Sequence, residues 1–230
     1  MADLLLEIGV EELPSGAVEM GVRQIEERAV SLLRAARLTH GDVKVLGTPR
    51  RLTMVVDRVA DHQDEAVSEV KGPPKKAAFV DDKPGPAAVG FAKSQGVDVD
   101  DLTTRDVNGG EYLFAVRRDR GRPATALLPD LLSQLVSSIS FPRSMRWDRS
   151  GVRFARPVRW LLALSDDKPI PFSFGTVESG TRTWGHRLLR PESFEVKAVG
   201  DYFKVMADGK IIPDHAERRS ADGAGGAARE

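Results

Sequence analysis

The side chains best suited to chemistry lie between Phe141 and Trp160, in the run F-P-R-S-M-R-W-D-R-S-G-V-R-F-A-R-P-V-R-W. Six arginines, Arg143, Arg146, Arg149, Arg153, Arg156 and Arg159, stand there against one acid, Asp148. Aromatic residues and Met145 are interleaved with them. The whole chain has 34 basic and 34 acidic side chains, so this excess of positive charge is segregated. Guanidinium groups beside aromatic rings suit a polyanion with stackable bases, which means RNA or a nucleotide. On that reading Arg143, Arg146, Arg156 and Arg159 meet phosphates. Trp147 and Trp160 suit base stacking or core packing equally. The same arginines also admit a structural use, as internal staples paired with acids.

Other clusters carry the same two readings. Thr48-Pro49-Arg50-Arg51 sets two adjacent arginines on a stiff turn, which forms a phosphate clamp because guanidinium grips phosphate bidentately. Alternatively Arg50 and Arg51 bridge to the acidic segment 61–70. Glu7, Glu11 and Glu12 can bind Mg²⁺ or move protons. They can equally cap the helix behind Pro14 or pair with arginine. Gly185-His186-Arg187 suits phosphate contact through Arg187, and His186 with Glu11 is the one acid/base pair that can be nominated. The four histidines (His40, His62, His186 and His215) show no zinc spacing, so no metal site is expected. Walker A, GxGxxG, HExxH and GxSxG patterns are absent, and no cofactor is expected on this chain.

These residues need a scaffold to position them. At 230 residues the chain fits one large domain or two small ones. Hydrophobic residues make up 41% and charged residues 30%, the balance of a soluble globular protein. No apolar run approaches the ~18 residues of a membrane span, and M-A-D-L-L-L-E lacks the basic start of a secretory signal. The lack of cysteine fits a cytoplasmic protein.

Asp3 to Val10 reads as a strand. Val18, Val22, Ile25, Ala29, Leu32 and Ala36 mark one helix face, with Ser15 as its cap. Val43 to Leu46 and Leu52 to Val59 read as strands around the Thr48–Arg51 turn. Lys71 to Lys76 reads as a loop. A helix is expected over Ala87 to Gln95, ended by Gly96, and a strand over Glu111 to Arg117 after the Asn108-Gly109-Gly110 turn. Leu128, Leu131, Leu132, Leu135, Val136 and Ile139 mark a second amphipathic helix, with Pro129 in its first turn. Val158 to Leu164 and Ile170 to Gly175 complete the strands. The expectation is an α+β fold with mixed or antiparallel sheets and packed amphipathic helices. It has one lobe over 1–72, a second over 73–219 that carries the Arg-rich segment, and a disordered tail over 220–230.

Eight short motifs occur in order: L-L-L-E-I-G-V-E-E-L-P (4–14), T-P-R-R-L (48–52), K-G-P (71–73), G-F-A (90–92), F-P-R-S-M-R-W (141–147), F-A-R-P-V-R-W (154–160), G-H-R (185–187) and E-R-R (217–219). Together they resemble the N-terminal region of the β subunit of bacterial glycyl-tRNA synthetase, the heterotetrameric α2β2 kind. The resemblance implies a class II aminoacyl-tRNA synthetase that ligates glycine to tRNA(Gly). ATP and Mg²⁺ would be used in the α subunit, and the partners would be the α subunit, tRNA(Gly) and a second β subunit. It implies that the β subunit holds tRNA and assembles the enzyme, and that this chain alone does not activate glycine. It also implies that later HD-type and anticodon-binding parts of the family lie outside this sequence, as after truncation, a frameshift or a gene split. Two other roles stay open at this point: a docking module without RNA contact, and a hydrolase domain that edits mischarged tRNA.

Overall fold

A computed structural model of the protein describes residues 1–80, 83–214 and 218. The expected disordered tail over 220–230, His215 and most of the E-R-R motif lie outside the described residues. The chain forms two compact units, one from 1–63 with 122–230 and one from 64–121. Residue 72, the expected lobe boundary, falls inside a paired strand, and the units divide after Gln63 and Gly121 instead.

In the first unit, β1 (Ala2–Val10), α1 (Ser15–Ala35), β2 (Val43–Thr48) and β3 (Arg51–Val59) come first in the chain. The second unit holds β4 (Ala66–Pro74), α2 (Lys75–Ala78), β5 (Phe79–Val80), β6 (Lys83–Pro84), α3 (Pro86–Gln95), β7 (Thr103–Val107) and β8 (Gly110–Asp119). The chain then returns to the first unit with α4 (Leu128–Ser138), β9 (Val158–Ser165), β10 (Lys168–Pro169), β11 (Ser173–Phe174), β12 (Val177–Gly180), β13 (Arg182–Trp184), β14 (Ser193–Glu195) and α5 (Tyr202–Asp208).

The first unit is built on a seven-stranded sheet in the order β11-β12-β9-β1-β3-β2, with β10 on the end of β9. β1 is central and antiparallel to both β3 and β9, while β12 runs parallel to β9. A strand covered on both faces reads as a continuous apolar run, which is why Leu4 to Val10 shows no alternation. Successive side chains still point to opposite faces. Leu4, Leu6, Ile8 and Val10 join the larger core, where Ile25, Ala29 and Leu33 of α1 meet Leu128, Leu132, Leu135 and Val136 of α4. Leu5 faces the other way and packs with Leu162, Leu164, Val196, Val199, Tyr202 and Met206.

The second unit is a three-stranded antiparallel sheet, β4-β8-β7. Leu113 packs with Ala78 and Ala88 on its helical side. Asn108 (φ 56°) and Gly109 (φ 82°) make the β7–β8 hairpin turn, the left-handed pair a tight hairpin needs. The fold class is α+β with mixed and antiparallel sheets, as expected.

Three local expectations change. Ser15 is the first helical residue and not the cap. Extended Pro14 (ψ 149°) takes that position, and its carbonyl accepts from the N–H groups of Ala17 and Val18. Lys71 to Lys76 is not a loop but the end of β4 followed by α2. Of the strand expected from Ile170 to Gly175, only Ser173 and Phe174 form a strand, while the Ile170 N–H donates singly to the Ala163 carbonyl at 3.0 Å, because Pro169 and Pro171 on either side have no N–H to continue a ladder.

Gly9 shows how tightly β1 is held. A Cβ there would lie 1.9 Å from the Trp160 ring, which covers the glycine across the β1–β9 pair. Gly9→Ala is therefore expected to destabilise the protein by about 1–3 kcal/mol through overpacking. Urea unfolding checks this, and an unchanged midpoint would contradict the close approach.

Candidate functional site

Glu7 sits in the middle of β1 with no solvent exposure. Its strand partners are Thr53 on β3 and Leu162 on β9. A buried carboxylate survives only if its lone pairs are filled, and here four elements fill them. Arg51 Nη1 donates to Oε2 at 3.2 Å, and the Trp160 indole N–H donates to Oε1 at 2.5 Å. Thr183 Oγ1 donates to Oε1 at 2.5 Å, and the Tyr202 hydroxyl donates to Oε2. Tyr202 in turn contacts Thr53 Oγ1 at 2.8 Å.

Arg51 is 1% exposed. Besides Glu7 it donates to Thr183 Oγ1 at 3.0 Å and to the Trp184 carbonyl at 2.5 Å. Its guanidinium lies 5.5 Å from the Trp160 ring centroid, a cation–π contact. The structure thus spends Arg51 and Trp160, both nominated for RNA contact, on a buried hub that ties the β13 and α5 region to the sheet. Its two terminal nitrogens are taken by Glu7, Thr183 and the Trp184 carbonyl, and its charge is met by Glu7. The signal was present in the sequence: Glu7 is an isolated acid within the run Leu4 to Val10, which is otherwise without polar side chains and demands a buried cation.

The two-residue turn Pro49-Arg50 separates the adjacent arginines. Arg51 opens β3 and points into the hub. Arg50 points outward, 6.0 Å from the Trp160 ring centroid. The turn is fixed from behind by the N–H of Val10 to the Arg50 carbonyl (2.9 Å) and of Leu13 to the Pro49 carbonyl (2.6 Å).

Arg50 opens into a cleft of about 790 Å³. The Gly185-His186-Arg187 turn forms another wall, and Lys210 and Arg218 line it too. Besides Arg51, whose charge is met by Glu7, four basic side chains, Arg50, Arg187, Lys210 and Arg218, outnumber the one lining carboxylate, Glu12. Glu12 pairs with Arg187 at 3.0 Å. Burial first, then the neighbouring guanidinium groups of Arg51 and Arg187, hold the Arg50 guanidinium below its ordinary value, against the opposite pull of Glu12 and Glu11. Uncompensated cation in a concave site is the arrangement that attracts phosphate. Three motifs far apart in sequence, T-P-R-R, G-H-R and E-R-R through its Arg218, meet here.

His186 is not free for proton transfer through Nδ1. That nitrogen accepts from the N–H groups of Leu188 (3.3 Å) and Leu189 (3.2 Å). Glu11 is exposed and pairs with Arg159 at 3.9 Å. Among the described residues no hydrogen bond or ion pair joins Glu11 to His186, so the structure does not assemble the nominated acid/base pair. No group of acids and histidines able to hold a metal ion occurs among the described residues.

The Arg-rich segment separates by residue type. Phe154 is buried, with ring centroids 4.9 Å from Phe141 and 6.1 Å from Phe174. Trp147 is half-buried, 6.0 Å from Phe174. Asp148 binds the loop internally, accepting from Ser150 and Thr176, and its hydrogen bond from Ser150 holds its carboxyl below the usual range. Arg143, Arg146, Arg149, Arg153, Arg156 and Arg159 are all exposed. Arg156 donates to the Glu12 carbonyl (3.3 Å) and Arg153 to Ser144. The aromatic residues anchor the segment, and the arginines form an external basic strip.

Comparison with known proteins identifies the family. A family model described as glycyl-tRNA synthetase beta subunit matches residues 4–222. A glycine--tRNA ligase beta subunit from Desulforudis audaxviator is 46% identical over 219 residues, covering 95% of this chain and 32% of the relative. The protein of the same name from Moorella thermoacetica is 44% identical over 218 residues, covering 94% and 31%. That from Syntrophomonas wolfei is 44% identical over 218 residues, covering 94% and 32%. The chain therefore spans about a third of the length of the curated relatives it matches.

Two stability tests address the hub. Glu7→Gln leaves Arg51 buried without a counter-charge and should cost about 3–5 kcal/mol in chemical denaturation. A loss under about 1 kcal/mol would mean the pair is solvated. Tyr202 is fully buried beside the Glu7 carboxylate, and burial first, then that charge, pushes its hydroxyl well above the ordinary tyrosine value. The unfolded chain therefore gives up this proton first. Stability is intact below pH about 10 and falls as pH rises beyond it. Tyr202→Phe should flatten that alkaline loss. A tyrosinate absorbance titration should show Tyr202 ionising only as the fold opens.

Proposed function

Since the chain belongs to the glycyl-tRNA synthetase β-subunit family, we propose that it supports ATP-dependent ligation of glycine to tRNA(Gly) by holding the tRNA for a catalytic α subunit. ATP and Mg²⁺ act in that α subunit, and this chain binds neither. The working form is cytoplasmic and includes the α subunit and a second β subunit. Catalysis by such a chain is positioning: an acceptor end held in register turns a bimolecular transfer into a near-unimolecular one.

The observation that carries this reading is the cleft where Arg50, Arg187, Lys210 and Arg218 outnumber Glu12. Arg143, Arg146, Arg156 and Arg159 extend the positive surface as an exposed strip. Long, exposed guanidinium groups meet a phosphate backbone without first breaking a core contact. Arg51 and Trp160 support the site from behind, and Trp147 packs against Phe174 instead of offering its ring to a base. With Glu11 and His186 committed elsewhere, no geometry favours the editing reading.

The test is binding of glycine tRNA to the 230-residue chain, titrated against salt. Arg50→Ala, Arg187→Ala, Arg146→Ala and Arg156→Ala should each lower the slope of log affinity against log salt by about one, with unchanged melting temperatures. Arg51→Ala should instead lower the melting temperature. Slopes that stay at the wild-type value in all four surface variants would refute RNA contact and leave the docking-module reading.

A further inference from the structure

Leu188 is 82% exposed and Leu189 is 66% exposed. They form the tip of the turn Arg187-Leu188-Leu189-Arg190 and border the basic cleft. Exposed leucines are ordinarily found on loose loops, but this tip is fixed. The His186 Nδ1 atom accepts both leucine N–H groups, and the Arg190 N–H donates to the His186 carbonyl at 2.9 Å. The His186 N–H donates to the Gly209 carbonyl at 2.7 Å, and the Gly185 N–H donates to the Glu192 carbonyl at 3.1 Å. A Cβ on Gly185 would lie 2.2 Å from the Arg190 carbonyl oxygen, so the turn closes too tightly for any other residue. The protein thus holds two apolar side chains rigidly in water beside a cation-rich cleft.

From this we propose that Leu188 and Leu189 form a wedge that packs against the terminal base pair of a bound RNA helix and unstacks it. This rests on the tRNA-holding reading above and names how the end of the RNA is engaged. Three features favour RNA over a protein partner. Arg187 and Arg190 bracket the leucines, so phosphates on either side of an opened base step can be met at the same time. Their present partners, Glu12 at 3.0 Å and Glu192 at 3.5 Å, are exposed pairs that yield to phosphate at little cost. The adjoining cleft has the excess of positive charge that a strand leaving the helix needs. Apolar side chains inserted at a base step, with basic residues on the flanking phosphates, are a general way for proteins to open a duplex. Because the tip is already ordered, little entropy is lost when it inserts.

The experiment uses the 230-residue chain and an RNA hairpin that mimics an acceptor stem. One RNA carries 2-aminopurine in the terminal base pair and a second carries it in mid-stem. The wild type should raise fluorescence at the terminal position only. The double variant Leu188→Ala, Leu189→Ala should keep its melting temperature and its salt slope, lose the fluorescence rise, and bind about tenfold more weakly. Gly185→Ala, which disturbs the turn but keeps both leucines, should reduce the rise as well.

RNA binding without a terminal signal, or with a signal that survives in the double variant, would overturn the wedge and leave the tRNA-holding reading standing. Absence of any salt-dependent RNA binding would overturn both. Unchanged RNA behaviour in the double variant, together with lost association with the catalytic α subunit, would assign the leucines to protein contact and overturn the wedge.

Discussion

One carboxylate, Glu7, organises the face of the sheet on which the site is built. It accepts hydrogen bonds from Arg51, Trp160, Thr183 and Tyr202, which lie 44, 153, 176 and 195 residues further along the chain. A charge in the interior has no inexpensive alternative to its partners. The position of β3, β9, β13 and α5 around β1 is therefore enforced by the need to keep that charge paired. An apolar residue would pack the same space, but it would not require a particular indole, hydroxyl and guanidinium at particular places.

That constraint explains how two identical neighbours diverge. Arg50 ends a two-residue turn and Arg51 opens β3, so the two are adjacent, yet Arg51 is held by the hub and Arg50 reaches the cleft. Trp160 links them, with a guanidinium 5.5 Å from its ring on one side of the site and another at 6.0 Å. Its own N–H is bound to Glu7 and its ring covers Gly9. The tryptophan stands between the buried hub and Arg50, which couples the orientation of Arg50 to the network behind it.

The Arg-rich segment follows the same division. Rings go inward, where Phe141, Phe154 and Phe174 form edge-to-face pairs, and guanidinium groups stay outside. An irregular segment with little ladder pairing of its own needs such anchors, and the aromatic residues supply them. The basic surface is in this way displayed on a fixed backbone, so charge placement is a property of the fold more than of flexible side chains. In a protein with equal numbers of acidic and basic residues, this local sorting creates the positive field.

Much of this was legible in the sequence. Periodicity identified α1 and α4, because a helix packing on a sheet must repeat its apolar face at 3.6 residues, and apolar runs marked β1 and β9, because strands covered on both faces cannot alternate. Composition placed an excess of arginine in one segment. The sequence could not say which arginine is buried, because that depends on which one the hairpin register sets opposite Gly9 and beside Glu7. It could not show that T-P-R-R, G-H-R and Arg218 share one cleft, since residues over 130 apart in the chain meet only through sheet topology. Nor could it reveal that His186 is a turn acceptor, or that residues 64–121 form their own compact unit between two parts of the other. Residue types determined what chemistry was available. Burial and long-range pairing, which exist only in the folded chain, decided which side chains hold the structure together and which are left to bind.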